Sequence, residues 1–334
     1  MLSELESLSK KAFLTLVLVA FLTAVWKAAD NYVANNISPG VDKIVLTLGY
    51  LTAGSALGSL VGFICATVTL GRSIDPDFSG FRIRNLKLHL IAIISGIAGA
   101  VATGFYIYAT IEVEAGVITA LTNISLVYVL LWELFREKKG FLVRPSVLAP
   151  LLLITVGAAI CAYDGKSVPI YLLAYMVIGY GLLAAVSEML EKYGANAGDS
   201  ENMYVWRFLY FAFFTAAACV VLAIRLGVWD EYFRLILLFF SPFWLVIVAG
   251  NMVVVYWTTV SKTFYKKNSP VTFIVAIVSV QSGFGFLFTI VGYKLFPASF
   301  TEIPDTVVWL VRLVGIAFMT LGLFALGKIR KTVQ

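Results

Sequence analysis

Residues 106–163 read YIYATIEVEAGVITALTNISLVYVLLWELFREKKGFLVRPSVLAPLLLITVGAAICAY. The end of one apolar pass and two further passes lie in this stretch, separated by an acidic turn, Glu112-Val-Glu-Ala-Gly116, and a basic patch, Arg136-Glu-Lys-Lys139. One pass of about 20 apolar residues matches a hydrocarbon core about 30 Å thick. Passes this close together leave no room for an aqueous core, so they read as three membrane spans.

Outward from it the pattern repeats. Apolar spans are expected over 12–26, 43–70, 89–111, 117–135 and 147–163, and again over 168–189, 204–226, 235–260, 271–296 and 307–326. The predicted fold class is therefore all-α, a polytopic membrane protein of ten transmembrane helices. Composition agrees: of 334 residues, 60% are hydrophobic and 13% charged, against roughly half and a quarter in soluble proteins. The polar first residues ending in Lys10-Lys11 before an apolar run also fit a signal peptide, but removing that run would spoil the symmetry described below.

The sequence pI near 9.1 does not call for nucleic acid, because the basic residues sit in short loops between spans, where they set orientation. With the N-terminus cytoplasmic, alternate loops and the tails collect 18 of the 25 Lys and Arg and the opposite side five. A multi-pass protein of the cell membrane with both termini cytoplasmic is expected. Cys65, Cys161 and Cys219 lie in or at the ends of apolar spans and read as small buried hydrophobes. His89 is the sole histidine, which excludes His-pair zinc motifs, and no cofactor is expected. Span two carries Gly54, Gly58 and Gly62 at four-residue intervals, a flat stripe for close helix packing within the bundle or in a homodimer.

The chain divides near Asp164-Gly-Lys-Ser167 into residues 1–164 and 165–334, five spans each. Ala24 to Asn35 set over Ala185 to Asn196 matches Ala, Val, Tyr, Ala and Asn, and a similar offset places Glu137 on Glu302 and Gly157 on Gly322. An odd number of spans per half makes the repeat inverted, and inverted repeats hold their substrate site near the midplane. The acidic turn after span three against the basic Lys262, Lys266 and Lys267 after span eight agrees with inversion.

Thr110 to Leu121, the run Leu131 to Gly140 with Glu137, the Gly157 span, Asn268-Ser-Pro-Val271, and Gly315 with Gly322 together resemble the EamA-type repeat of the drug/metabolite transporter superfamily. The chain lacks the proline that the family carries midway along spans four and nine. The resemblance covers nearly the whole chain and implies two five-helix repeats and transport of a small organic metabolite, such as an amino acid, nucleoside, sugar or drug-like solute.

Charged residues inside a span usually face the bundle interior and serve function. Lys27 and Asp30 are neighbours on one helical face unless the helix ends near Ala29, and the repeat sets Glu188 opposite Lys27 as acid to base. Tyr106, Asn123, Asn251, Trp257 and Gln281 are the other candidate substrate-binding residues, from spans that would flank a central cavity. Thr119, Asn123 and Glu133 form a polar stripe on span four, and Arg312 is expected at the outer interface near Asp305. A secondary transporter by alternating access is the reading these residues favour, with a small-molecule substrate, the lipid bilayer as partner and protons as a candidate coupling ion. The absence of a P-loop motif argues against direct ATP drive. A non-transporting scaffold or receptor and an intramembrane lipid-handling enzyme are the alternatives. The enzyme lacks a clustered catalytic motif, so no enzymatic activity is expected.

Overall fold

A computed structural model describes residues 10–68, 74–113, 115–163, 170–295 and 305–332. Asp164 to Ser167, Glu114, Arg72 and Glu302 lie outside the described residues. Those described form helices and their connections, with no strand among them.

The elements in order are α1 (Lys10–Asn36), α2 (Lys43–Val68), α3 (Leu86–Glu112), α4 (Ala115–Leu121), α5 (Ser125–Phe135), α6 (Pro145–Cys161), α7 (Ile170–Ala174), α8 (Leu182–Ala197), α9 (Ser200–Arg225), α10 (Trp229–Phe239), α11 (Pro242–Asn268), α12 (Val271–Val278), α13 (Gln281–Leu295) and α14 (Thr306–Thr332). Counting α4 with α5, α7 with α8, and α12 with α13 as single passes, nine described helices are long and apolar enough to cross a membrane. The remaining apolar helix, α6, has 17 residues.

Two expected boundaries move. α1 continues to Asn36, so Lys27, Asp30 and Asn31 lie inside a helix rather than at its end. Span eight begins at Pro242, not Leu235, because proline disfavours helical conformation in the residue before it and has no N–H to continue α10. α10 is left as a separate helix that buries Tyr232, Leu235 and Phe239.

Local chemistry sets the ends. Asp42 accepts the amides of Ile44 and Val45 at the start of α2 (2.8 and 3.3 Å), and Asp199 accepts the Asn202 amide at the start of α9 (2.8 Å). At the other end of α9, Gly227 takes φ of +70°. The Val228 amide then reaches the Ala223 carbonyl and the Gly227 amide that of Ile224, a closure that needs a residue tolerant of left-handed backbone.

The described helices form two compact units. The first comprises Met1–Ala28, Val113–Ala185 and Asn268–Gln334, and the second Ala29–Glu112 and Val186–Lys267. The units are not the two halves of the sequence: each takes segments from both.

In the first unit, α6 and α14 meet at glycines. A Cβ on Gly157 would come 2.5 Å from the Gly315 carbonyl oxygen, and one on Gly322 would come 2.7 Å from that of Pro150, so only glycine permits this approach. Arg312, expected at an outer interface, is wholly buried and donates from Nε to the Tyr163 carbonyl at 2.7 Å. A guanidinium carried six residues into α14 finds that carbonyl just past the end of α6, so it need not reach the interface.

In the second unit, the glycine stripe of α2 is occupied from within. Gly58 faces Phe208 and Met252, and Gly62 faces Tyr204. The loop before α3 is tied to the start of α9: Asp75 accepts the Ser200 amide and hydroxyl, both at 2.9 Å, and the Arg82 amide donates to Asn202 at 2.8 Å. Cys161 and Cys219 are buried and Cys65 partly so, all three as free thiols.

Candidate functional site

Three stretches of irregular backbone meet in the first unit. Thr122–Ile124 forms a turn of 3-10 helix between α4 and α5, Tyr175–Gly181 a π-helical stretch between α7 and α8, and Ser279-Val280 a break between α12 and α13. No proline lies at any of them. The first and third are built by side-chain hydroxyls that bond back to the helix, an alternative to the regular ladder. Thr122 donates to the Thr119 carbonyl at 2.7 Å and Ser125 to that of Thr122 at 3.2 Å. In the other break, Ser279 donates to Val275 at 2.8 Å and Ser282 to Ser279 at 3.1 Å.

The breaks are joined by amide side chains. Asn123 donates to the Ser279 carbonyl at 3.1 Å and to the Ser282 hydroxyl, and Gln281 donates to Asn123 Oδ1 at 2.9 Å. Lys27 donates from Nζ to Thr122 Oγ1, and its ammonium lies 5.6 Å from the Trp26 ring centre. The π-helical stretch abuts the first break through Gly181, where a Cβ would come 2.6 Å from Ile124. Lys27, Asn123 and Gln281, three of the residues picked out by sequence, thus belong to this site, and each is buried. Two polar atoms nearby in sequence, Gln281 Oε1 and Thr23 Oγ1, are buried without a hydrogen-bond partner among the described residues.

Below this site in the same unit, Glu133 holds the start of α12. Its carboxylate accepts the Val271 and Thr272 amides at 2.9 and 3.0 Å and pairs with Lys139 at 2.8 Å. An anion at a helix N-terminus also meets the positive end of the helix dipole. Burial works against the charge on Lys139, but Glu133 and Glu137 outweigh it and push its pKa above the ordinary lysine value.

In the second unit, Asp30 collects three donors. Tyr50, Tyr106 (3.2 Å) and Asn251 (2.8 Å) all donate to its carboxylate. Next to it, Asn31 donates to the Thr110 carbonyl at 2.9 Å. Tyr106 and Asn251 were legible as polar residues inside apolar spans and Asp30 as one just beyond a span, whereas Tyr50 was not picked out. Glu188, expected to answer Lys27, meets Lys266 and, at 3.6 Å, Lys262. Trp257 is half-buried on α11 and joins none of these clusters.

No protein-family model matches the chain, and no curated protein matches it by sequence. Structural similarity is found instead. A solved structure, titled only "Crystal structure of protein", matches with a TM-score of 0.55 over 96% of this chain and 99% of its own, at 16% sequence identity. The two share a fold along their whole lengths. Nine long apolar helices among the described residues fit a multi-pass membrane protein.

Proposed function

We propose that the chain is a secondary transporter of ten spans in two inverted five-helix repeats, resembling the drug/metabolite transporter superfamily and moving a small organic solute by alternating access. The observation that carries this reading is the meeting of three irregular segments around Lys27, Asn123 and Gln281. Non-helical backbone at membrane depth is tolerated only where it is buried in protein or lines a cavity. Interrupted helices are also what transporters use to present backbone groups and side chains to a solute.

The composition of the two units supports the repeat. The first unit takes the start of α1 with α4, α5 and α6, and from the second half of the chain α7, the start of α8, and α12 to α14. The second unit takes the end of α1 with α2 and α3, and correspondingly the end of α8 with α9 to α11. Corresponding spans of the halves therefore go to the same unit. α6 is the tenth span in this reading, at the short end of the spanning range of about 17 to 25 residues. Tyrosine hydroxyls that donate to Asp30 as a carboxylate can turn to accept from it as an acid, which suits a proton as coupling ion.

Alternating access can be tested before any cargo is known. In a variant lacking Cys65, Cys161 and Cys219, Ser282→Cys places a near-isosteric thiol in the break. An impermeant thiol reagent should label it both in intact cells and in inverted vesicles, as the site opens to each side in turn. Labelling from neither side, or from one side only under all conditions, would indicate a static scaffold. Uptake into vesicles of amino acids, nucleosides and sugars, with and without a pH gradient, then identifies the cargo.

A further inference from the structure

Close to the helix ends of the second unit lies a buried ionic network that the transport reading does not use. Glu188 and Glu191 share one face of α8, one turn apart, and Lys262 and Lys266 share one face of α11. Lys266 bridges both carboxylates and is wholly buried, Arg207 of α9 pairs with Glu191, and Lys262 stands 3.6 Å from Glu188. Thr263 also donates to Glu191 at 3.4 Å.

The charges do not balance. Among the described residues three cations face two carboxylates, and a surplus charge held away from water is costly unless something compensates it. Donors are also in surplus. Arg207 Nε and the Tyr204 hydroxyl are buried without a hydrogen-bond partner among the described residues, and the Tyr204 residue is 1% exposed. Tyr204 and Arg207 stand three residues apart on α9 and so share one face of it. α3 is shaped to admit the guanidinium: a Cβ on Gly99 would stand 3.1 Å from Arg207 Nη2, and one on Gly96 would stand 2.9 Å from the Arg207 carbonyl oxygen.

One edge of the network remains open. The side chains of Arg207, Lys262 and Glu188 are 14%, 17% and 18% exposed, while Lys266 is sealed. Surplus positive charge, unpartnered donors and an accessible edge together describe a receptor for an anion.

We propose that this network binds a small organic anion through a carboxylate or phosphate group, and, resting on the transport reading, that this anion is cargo. The bound anion takes the place of the missing third acid. It accepts from the Lys262 ammonium at the open edge and from the buried donors behind it, which strengthens each contact because charge-assisted bonds are the stronger kind. Lys266 and Glu191 form the fixed floor.

The test compares charged probes with uncharged counterparts on purified full-length protein in detergent. Lactate and glycerol 3-phosphate should raise Tm in a concentration-dependent way, as any ligand of the folded state does, and lactamide and glycerol should not. Lys262→Met leaves two cations facing two carboxylates. It should therefore be at least as stable as the parent without anion, and should lose the anion-dependent rise. A purely structural ion network predicts the reverse, with lower Tm in Lys262→Met. That result, an undiminished rise in the variant, or equal rises with the neutral probes would overturn the proposal. A rise seen in phosphatidylglycerol-containing vesicles, but not with the soluble anions, would assign the site to a lipid headgroup and overturn the cargo assignment. If Ser282→Cys is labelled from neither side while the anion effect persists, the transport reading fails and the anion site stands.

Discussion

Asp75 shows what a single carboxylate does outside the spans. It is wholly buried between α2 and α3, bonded to Ser200 and paired with Lys267 at 3.0 Å. Burial alone would raise its pKa, but the Lys267 ammonium, the Ser200 amide and hydroxyl and the Asp77 amide together lower it below the ordinary carboxylate value. A carboxyl lowered by folding contributes stability above its unfolded pKa of about 3.9, and that contribution is lost as pH falls through the folded value. Asp199 has the opposite sign, since burial, its largest influence, raises it. The difference between parent and Asp75→Asn reports Asp75 together with the part of the Asp199 shift that the Asp75 charge supplies. The variant should be less stable by about 1 to 3 kcal/mol at pH 7, the cost of leaving buried partners unmatched, and should lose less further stability below about pH 4. Identical acid limbs in thermal unfolding of the two proteins would show that the Asp75 charge is not what ties the loop to α9. Residues of this kind were only partly legible in the sequence. Lys27, Asn123, Asn251 and Gln281 stand out because each is polar within an apolar stretch, and Asp30 because it lies on the face of Lys27 just beyond one. Asp75, Glu191, Arg207 and Lys266 do not, because they lie where charges are ordinary and only the folded chain shows them buried.

At the scale of the helices, hydropathy located nine long apolar helices among the described residues, but not the interruptions within them. The break at Pro242 moves span eight because proline acts through its backbone, which a hydropathy reading ignores. The breaks at Thr122–Ile124 and Ser279-Val280 are harder to see, being made by hydroxyl pairs three residues apart flanking an amide, Thr122/Ser125 with Asn123 and Ser279/Ser282 with Gln281. Neither break contains a proline. Glycines were better indicators, yet they are not equivalent. A Cβ at Gly58 meets only the side chains of Phe208 and Met252, at 3.0 to 3.2 Å, which can shift. A Cβ at Gly157 meets the Gly315 carbonyl at 2.5 Å and the Met319 amide at 2.8 Å, and backbone within a helix cannot yield without moving the whole helix. Gly58→Ala should cost about 1 kcal/mol and Gly157→Ala about 3 kcal/mol or more, the two ends of the overpacking range. Thermal unfolding of both in detergent measures this. An equal cost would mean that α6 and α14 can separate freely.

For the molecule as a whole, the sequence predicts orientation through charge, and the structure changes what is being counted. Lys262 and Lys266 were assigned to a loop but lie within α11, and Arg207 lies within α9, all three in ion pairs. Removing them leaves 15 Lys and Arg on one side against five on the other. The orienting effect depends on Lys and Arg near span ends and only weakly on Asp and Glu, so a threefold excess still predicts the same orientation. The interleaving of the compact units was not legible in the sequence, since residues that fold together there are far apart in the chain. Orientation, by contrast, is decided span by span during insertion and does not need that information. Lys138 and Arg225 are exposed and fall on opposite sides of this prediction, which makes them better reporters than the buried Lys266. In the cysteine-free background, Lys138→Cys should resist an impermeant thiol reagent in intact cells and react in inverted vesicles. Arg225→Cys should do the opposite. Reaction of Lys138→Cys from outside the cell, with protection of Arg225→Cys, would invert the topology and place both termini outside.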